Sequence, residues 1–355
     1  MKRLNALREI MEQQKVEAIL ITGLENRRYI TGFTGSSGVA LITEKEAKLV
    51  TDFRYIEQAN TEASHFEIVK HTGPMTEEVA KQVKQLGIKT LAFERDHLTY
   101  ALYELYKKEV EATLVPVHGL VEKLRLIKDK EEIKIIKEAA KIADASFNHI
   151  LSFIQPGVKE IDIATELEYF MRKSGATSSS FDTIVASGVR SSLPHGVASE
   201  KIIENGDFVT LDFGAYYKGY CSDMTRTVAV GFIDSKLQEI YEIVLEAQKR
   251  GIEGIKSGIT GKEADAFTRD YIDSKGYGDY FGHSTGHGIG LEIHEGPALS
   301  IRSDVILQPG MVVTCEPGIY LEGIGGVRIE DDVIITEEGN EVITQANKEL
   351  IVLPS

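Results

Sequence analysis

Two stretches of this 355-residue chain occur twice, in the same order. "IQPGVKEIDIATELEYFMRKSG" (154–175) aligns without a gap on "IKSGITGKEADAFTRDYIDSKG" (255–276), and "GDFVTLDFGAYYKG" (206–219) aligns on "GMVVTCEPGIYLEG" (310–323). Six of the fourteen positions in the second alignment are identical, where background composition gives on the order of one. Each copy of the first stretch follows a long helical pattern, and each copy of the second reads as a strand running into a turn. The chain is therefore expected to contain a duplicated half-domain, each half supplying a helix pair and then a β-hairpin. The same alignment pairs Asp212 with Glu316.

The first 120 or so residues show no such repeat. Met1 to Gln14 carries apolar residues at helical spacing, and "EAILIT" (17–22), "VALI" (39–42), "AKLVT" (47–51) and "KTLAF" (89–93) are strand candidates. "TEEVAKQVKQLG" (76–87) reads as a helix with Thr76 as its N-cap and a closing glycine. A long helix is expected to begin near Asp129 and to stop at Pro156-Gly157. These patterns predict two domains, an α/β domain over 1–122 and an α+β domain over 123–355.

Composition narrows the function classes. A formal charge of −15 opposes non-specific binding to nucleic acid or to an anionic membrane, and it suits a protein that gathers carboxylates around a cation. No apolar run approaches a membrane span, and Met1 to Gln14 lacks the apolar centre of a signal peptide, so a cytoplasmic protein is expected. Cys221 and Cys315 are the only cysteines and read as buried thiols rather than as a disulfide framework or zinc site.

"FVTLDFGAYYKGYCSDMTRTVAV" reads as two strands around a turn, and folding it between Tyr217 and Lys218 sets Asp212 directly across from Asp223. "VVTCEPGIYLEGIGGVRIEDDVII", centred on Gly323, sets Glu316 across from Glu330. The flanking residues are apolar enough for interior strands. Two cross-strand acid pairs in such places would destabilise the fold unless a cation bridged them. His283, His287 and His294 fall within "HSTGHGIGLEIHEGP" (283–297), whose glycines argue against the helical HExxH pattern of zinc peptidases, and His195 in "LPHGV" is a fourth candidate. Four carboxylates with one or two imidazoles form a mostly oxygen-donor set suited to hard or borderline divalent ions such as Mn²⁺. Spacing alone leaves open which histidine belongs to that set.

The stretches "LDFGAYYKGYCSDMTRTVAVG", "HSTGHGIGLEIHEGP" and "CEPGIYLEGIGGVRIEDDVII" resemble those of the pita-bread metallopeptidases, in the branch of Xaa-Pro dipeptidases (prolidases) and Xaa-Pro aminopeptidases. The resemblance covers the whole chain, and "NRRYITGFTGSSG" and "TDFRY" resemble motifs of the N-terminal domain typical of that branch. Methionine aminopeptidases share the catalytic fold but lack that domain. The resemblance implies a pita-bread catalytic domain with an internal pseudo-two-fold axis, and a homodimer. It implies two divalent ions, Mn²⁺ first and Co²⁺, Zn²⁺ or Fe²⁺ as alternatives, held by Asp212, Asp223, His287, Glu316 and Glu330, with Asp223 and Glu330 bridging. His294 would stabilise the tetrahedral intermediate, and His195 and His283 would hold the substrate and its prolyl carboxylate. Glu316 would also handle a proton, Arg328 would be the active-site arginine and Tyr320 a supporting tyrosine.

The activity expected from this resemblance is hydrolysis of Xaa-Pro dipeptides, with a bridging hydroxide attacking the carbonyl before proline. An Xaa-Pro aminopeptidase acting on longer peptides is the alternative within the class. A creatinase-like hydrolase would use the fold without metal, and a non-catalytic peptide-binding protein would have lost ligands, whereas all five are present here.

Overall fold

A computed structural model describes all of residues 1–355, which divide into two compact units, Met1–Arg125 and Leu126–Ser355. The first unit runs α1 (Lys2–Gln13), β1 (Ala18–Ile21), α2 (Leu24–Thr31), β2 (Val39–Thr43), β3 (Ala47–Thr51), α3 (Ile56–Glu62), β4 (Glu67–Lys70), α4 (Met75–Gln85), β5 (Thr90–Glu94), α5 (Tyr100–Glu109), β6 (Thr113–Val117) and α6 (Leu120–Arg125). Residue 122, the boundary expected from sequence, lies inside α6. The strands form one mixed sheet in the order β4-β3-β2-β1-β5-β6, with β1 antiparallel to β2 and parallel to β5. β1 is buried along its whole length, which explains why "AILI" shows no alternation: a strand covered on both faces reads as a continuous apolar run. Thr76 is not the cap of α4. Pro74, its φ fixed by the ring at −56°, holds the N-cap position, and Thr76 is buried in the first turn.

The second unit shows why the sequence repeats. Its first half is α7 (Lys130–Ile150), α8 (Glu160–Lys173), β7 (Ser178–Ser179), β8 (Ile184–Ser187), β9 (Phe208–Phe213), β10 (Ala215–Tyr217), β11 (Tyr220–Cys221) and β12 (Met224–Val230). Its second half is α9 (Ser235–Gly254), α10 (Gly261–Ser274), β13 (Gly286–Gly288), β14 (Glu295–Leu299), β15 (Val312–Cys315), β16 (Gly318–Leu321), β17 (Gly325–Arg328) and β18 (Asp331–Ile335), followed by β19 (Asn340–Val342) and β20 (Val352–Leu353). Neighbouring strands lie in the order β12-β9-β8 in one sheet and β18-β15-β13 in the other, all antiparallel. Element order and strand order are thus repeated, with the hairpins β10–β11 and β16–β17 in matching places.

Local chemistry sets the ends of these elements. The Asp129 carboxylate accepts the N–H groups of Glu131 and Glu132 while Glu132 reaches back to the Asp129 N–H, so a capping box starts α7 where the sequence predicts. The helix ends at Ile150, before the Pro156-Gly157 stop. Ile163, Leu167 and Met171 of α8 pack on Val209, Leu211 and Phe213 of β9, and each such burial contributes roughly 1.5–3 kcal/mol. Leu237, Ile240 and Val244 of α9 cover Val327 and Ile329 in the same way.

The two hairpins decide which side chains share a face. In the first, Tyr217 pairs with Tyr220 across Lys218-Gly219, whose φ angles are 48° and 89°. Both central residues therefore take the left-handed region of a type I′ turn. The same register continues into the longer strands, where Asp212 faces Thr225 and Met224 faces Phe213. The sequence expectation that Asp223 stands directly across from Asp212 is corrected: it lies on the diagonal. A turn between Tyr217 and Lys218 would have put tyrosine, rather than glycine, at a positive φ. The second hairpin follows its expected centre, since Cys315 pairs with Asp331 and Gly318 with Arg328, which brings Glu316 across from Glu330.

Candidate metal centre

A pocket of about 520 Å³ in the second unit is walled by Asp212, Asp223, His287, Glu316, Arg328 and Glu330, with His195, His283 and His294 around it. Asp212 comes from the end of β9, Asp223 from the break between β11 and β12, and His287 from β13. Glu316 and Glu330 follow β15 and β17 and flank the second hairpin. Nine of the ten residues singled out from sequence therefore line one pocket; the tenth, Tyr320, stands behind it, in contact with His283 and Arg328.

The acids are close and poorly compensated. Asp223, His287 and Glu330 offer donor atoms within 4.8 Å of one another. Oδ1 of Asp212 and Oδ1 of Asp223 are buried without a hydrogen-bond partner, a state that costs stability unless something positive meets them. Burial, then the charges of Glu330 and Asp212, push the Asp223 carboxyl far above the usual range. Burial, then Glu316 and Asp212, do the same to Glu330. Burial lifts Glu316 to about 8, against the opposing pull of Arg328.

Hydrogen bonds fix the orientation of each group. Thr225 Oγ1 donates to Glu330 Oε2 at 2.6 Å, Thr314 Oγ1 donates to Glu316 Oε1 at 3.1 Å, and Asp332 Oδ2 accepts the Asp223 N–H at 2.9 Å. Arg328 spreads its guanidinium over Asp212 Oδ2 (2.5 Å), Tyr320 Oη (2.7 Å) and Thr225 Oγ1 (3.1 Å). His287 Nδ1 donates to the Gly288 carbonyl at 3.1 Å, which leaves a bare lone pair on Nε2. That lone pair lies 3.3 Å from Glu316 Oε1 and 3.6 Å from Asp223 Oδ2. Burial lowers the His287 pKa, which favours the neutral imidazole that a metal ion requires as a ligand. Hard carboxylate oxygens, one imidazole nitrogen and orphaned buried oxygens make a donor set that fits divalent ions.

The outer histidines differ among themselves. His283 Nδ1 donates to the Ser284 carbonyl and Nε2 accepts from Tyr320 Oη, both at 2.8 Å. Burial, then Arg328, lowers its pKa to about 4. His294 faces solvent with its ring 4.4 Å from that of His287. His195 is exposed on the loop after β8.

Sequence reasoning missed the rest of the setting. Phe181, Ile184, Val197 and Ile293 give the pocket its apolar side, and Asp182 and Pro194 sit on its wall. Thr225 and Thr314 lie two residues from an acid in "DMTRT" and "VVTCE", so strand alternation was a usable signal for them.

The duplicated fold and the cluster of hard donors define a pita-bread metallohydrolase. Residues 134–337 match metallopeptidase family M24 and residues 3–127 match the creatinase/prolidase N-terminal domain, and the chain belongs to that metallopeptidase family. An uncharacterized peptidase of Bacillus subtilis, YqhT, is 60% identical over 99% of this chain and 100% of its own length. An Xaa-Pro dipeptidase of Pyrococcus horikoshii is 44% identical over 97% of each chain. Among solved structures, an Xaa-Pro dipeptidase from Bacillus anthracis is 66% identical, with a TM-score of 0.98 over 99% of both chains. No helix is long and apolar enough to cross a membrane.

Proposed function

We propose that the protein hydrolyses Xaa-Pro dipeptides, cutting the amide bond before proline with two divalent ions held by Asp212, Asp223, His287, Glu316 and Glu330. The observation that carries this reading is the convergence of these five side chains with two buried, unpartnered carboxylate oxygens and an imidazole lone pair aimed at carboxylates. Asp223 and Glu330, whose carboxyls burial and neighbouring acids push far above the usual range, would be the two acids that serve both ions, and that positive charge would restore them as anions. Bound ions of this kind polarise the scissile carbonyl and make a nucleophile available near neutral pH; Mn²⁺ suits the oxygen-rich set, and Co²⁺, Zn²⁺ or Fe²⁺ are the alternatives.

The remaining steps belong to the chain. A prolyl nitrogen leaves as a secondary amine and must be protonated, and Glu316 would take the proton that the attacking water gives up and pass it to that nitrogen. His294, whose pKa partial burial lowers, keeps one N–H to donate to the developing oxyanion. His195, whose ring is exposed, takes the prolyl carboxylate. His283 has both nitrogens engaged, so it contributes its ring to the pocket wall and holds Tyr320 against Arg328. The enzyme acts as a homodimer in the cytoplasm.

The test combines elemental analysis of purified protein with assays on Ala-Pro and Ala-Pro-Ala. Release of proline from Ala-Pro with Mn²⁺, and little action on the tripeptide, is expected. Preference for the tripeptide would make the enzyme an Xaa-Pro aminopeptidase, and inertness toward both would remove the reading.

A further inference from the structure

Helix α10 carries an ion pair that the mechanism above does not use. The Asp265 side chain is fully buried, and Arg269 one turn later donates to it through Nε (2.6 Å) and Nη2 (2.9 Å). A buried ion pair is a poor way to gain stability, because apolar residues of similar size often do as well. What this pair does besides is grip the irregular segment entering β13. Arg269 Nη1 donates to the Phe281 carbonyl at 3.1 Å and Nη2 to the His283 carbonyl at 2.7 Å, with the guanidinium over the Phe281 ring. Asp265 Oδ1 accepts the Thr285 N–H at 3.0 Å and the Thr285 hydroxyl at 2.8 Å. The Thr285 carbonyl then accepts the Glu316 N–H at 2.7 Å.

His283 is therefore fastened on both sides, and its ring begins a chain of contacts. Nε2 meets Tyr320 Oη, Tyr320 Oη accepts from Arg328 Nη1, and Arg328 Nη2 donates to Asp212 Oδ2. The chain runs from a helix of the second half to an acid of the first.

We propose that Asp265 and Arg269 are positioning residues for catalysis, holding His283 and, through Tyr320 and Arg328, the carboxylate of Asp212. This inference rests on the proposed reaction for its kinetic consequence but not for its geometry. Phe281 and His283 precede β13, so their carbonyls lack strand partners and take the guanidinium instead. A lysine keeps the charge beside Asp265 but cannot reproduce the planar fork.

The experiment is a double-mutant cycle of Arg269→Lys with His283→Ala, read on kcat/KM for Ala-Pro and on Tm, together with amide exchange of 281–287 and Glu316 in the full chain. Arg269→Lys is expected to lower kcat/KM by about 10- to 100-fold. In the His283→Ala background the same change should cost less than about 2-fold, while its effect on Tm stays the same in both backgrounds. Faster exchange at Thr285, with the strands of the first half unchanged, is expected alongside. A loss of turnover that persists in full without His283, or unchanged exchange at Thr285, overturns the proposal. A wild-type chain inert toward every prolyl dipeptide removes the proposed reaction instead, and the exchange measurement then decides the positioning role alone.

Discussion

In the first half of the second unit Asp212 and Asp223 meet on a diagonal, whereas in the second half Glu316 and Glu330 stand in one row. Read through the hairpin registers, Thr225 holds in the first half the place that Glu330 holds in the second, and Asp223 holds the place of Arg328. The duplicated backbone supplies the same rows twice; both halves keep an acid on the first strand, at Asp212 and Glu316, and fill the facing strand with different chemistry. Where one half offers a carboxylate the other offers a guanidinium, and Arg328 reaches across to Asp212. Where one offers a hydroxyl the other offers a carboxylate, and Thr225 donates to Glu330. Two identical halves would have stacked like charge on like charge; the divergence lets each half stabilise the other.

If both halves are needed for the centre, removing one acid from either should be equally damaging. Asp223→Ala and Glu330→Ala are each expected to abolish metal retention and to lower turnover by at least about 10³-fold, as elemental analysis and Ala-Pro hydrolysis will show. A half that tolerates the loss would break the symmetry of the comparison.

Chelation sharpens it. Burial holds a proton on Glu316 up to about 8, whereas the unfolded glutamate releases it near 4.5. The folded chain then binds more protons than the unfolded one between these values. Stability of the metal-free protein should therefore fall as pH rises from about 4.5 to about 8, by at most about 1.4 kcal/mol per pH unit for this group. Denaturant midpoints across this range should slope downward for the chelated protein and flatten when metal is restored; an upward slope would contradict the cause assigned to Glu316.

Smaller effects separate the supporting hydroxyls. Thr225→Ala deprives both Glu330 and Arg328 of a partner, and Thr314→Ala deprives Glu316 and the His287 N–H. Each is expected to cost about 10- to 100-fold in activity, with the larger loss at Thr225, whose bond to the acid is the shorter. Equal kinetics for the two variants would mean that these contacts are interchangeable.

The smallest effect concerns the turns. Gly219 and Gly323 both take positive φ, 89° and 75°. Alanine at either should cost about 1 kcal/mol in thermal unfolding and leave the pocket's chemistry in place.

The repeat, the acids and the histidine-rich segment were legible because periodicity and glycine placement are local signals. The second register was readable from the position of Gly323. The first was misjudged by one residue at its turn, although Gly219 marked the place where a two-residue turn needs a positive φ. Thr76 was misread because Pro74 already supplied the helix entrance. Asp265 and Arg269 were not legible at all: on a helix with polar neighbours they read as solvated surface, and only tertiary packing buries Asp265 completely. Asp332 carries no signal of its own in "VRIEDDVII", and only its contact with the Asp223 N–H places it behind the site.

The Lys218-Gly219 turn lies at the tip of its hairpin, yet it governs which residues look into the pocket. Because side chains alternate along a strand, one extra residue inserted there would rotate everything beyond it to the opposite face. Drift in this protein is therefore confined at that tip to residues that accept a positive φ, and a change in the tip's length is the costlier event.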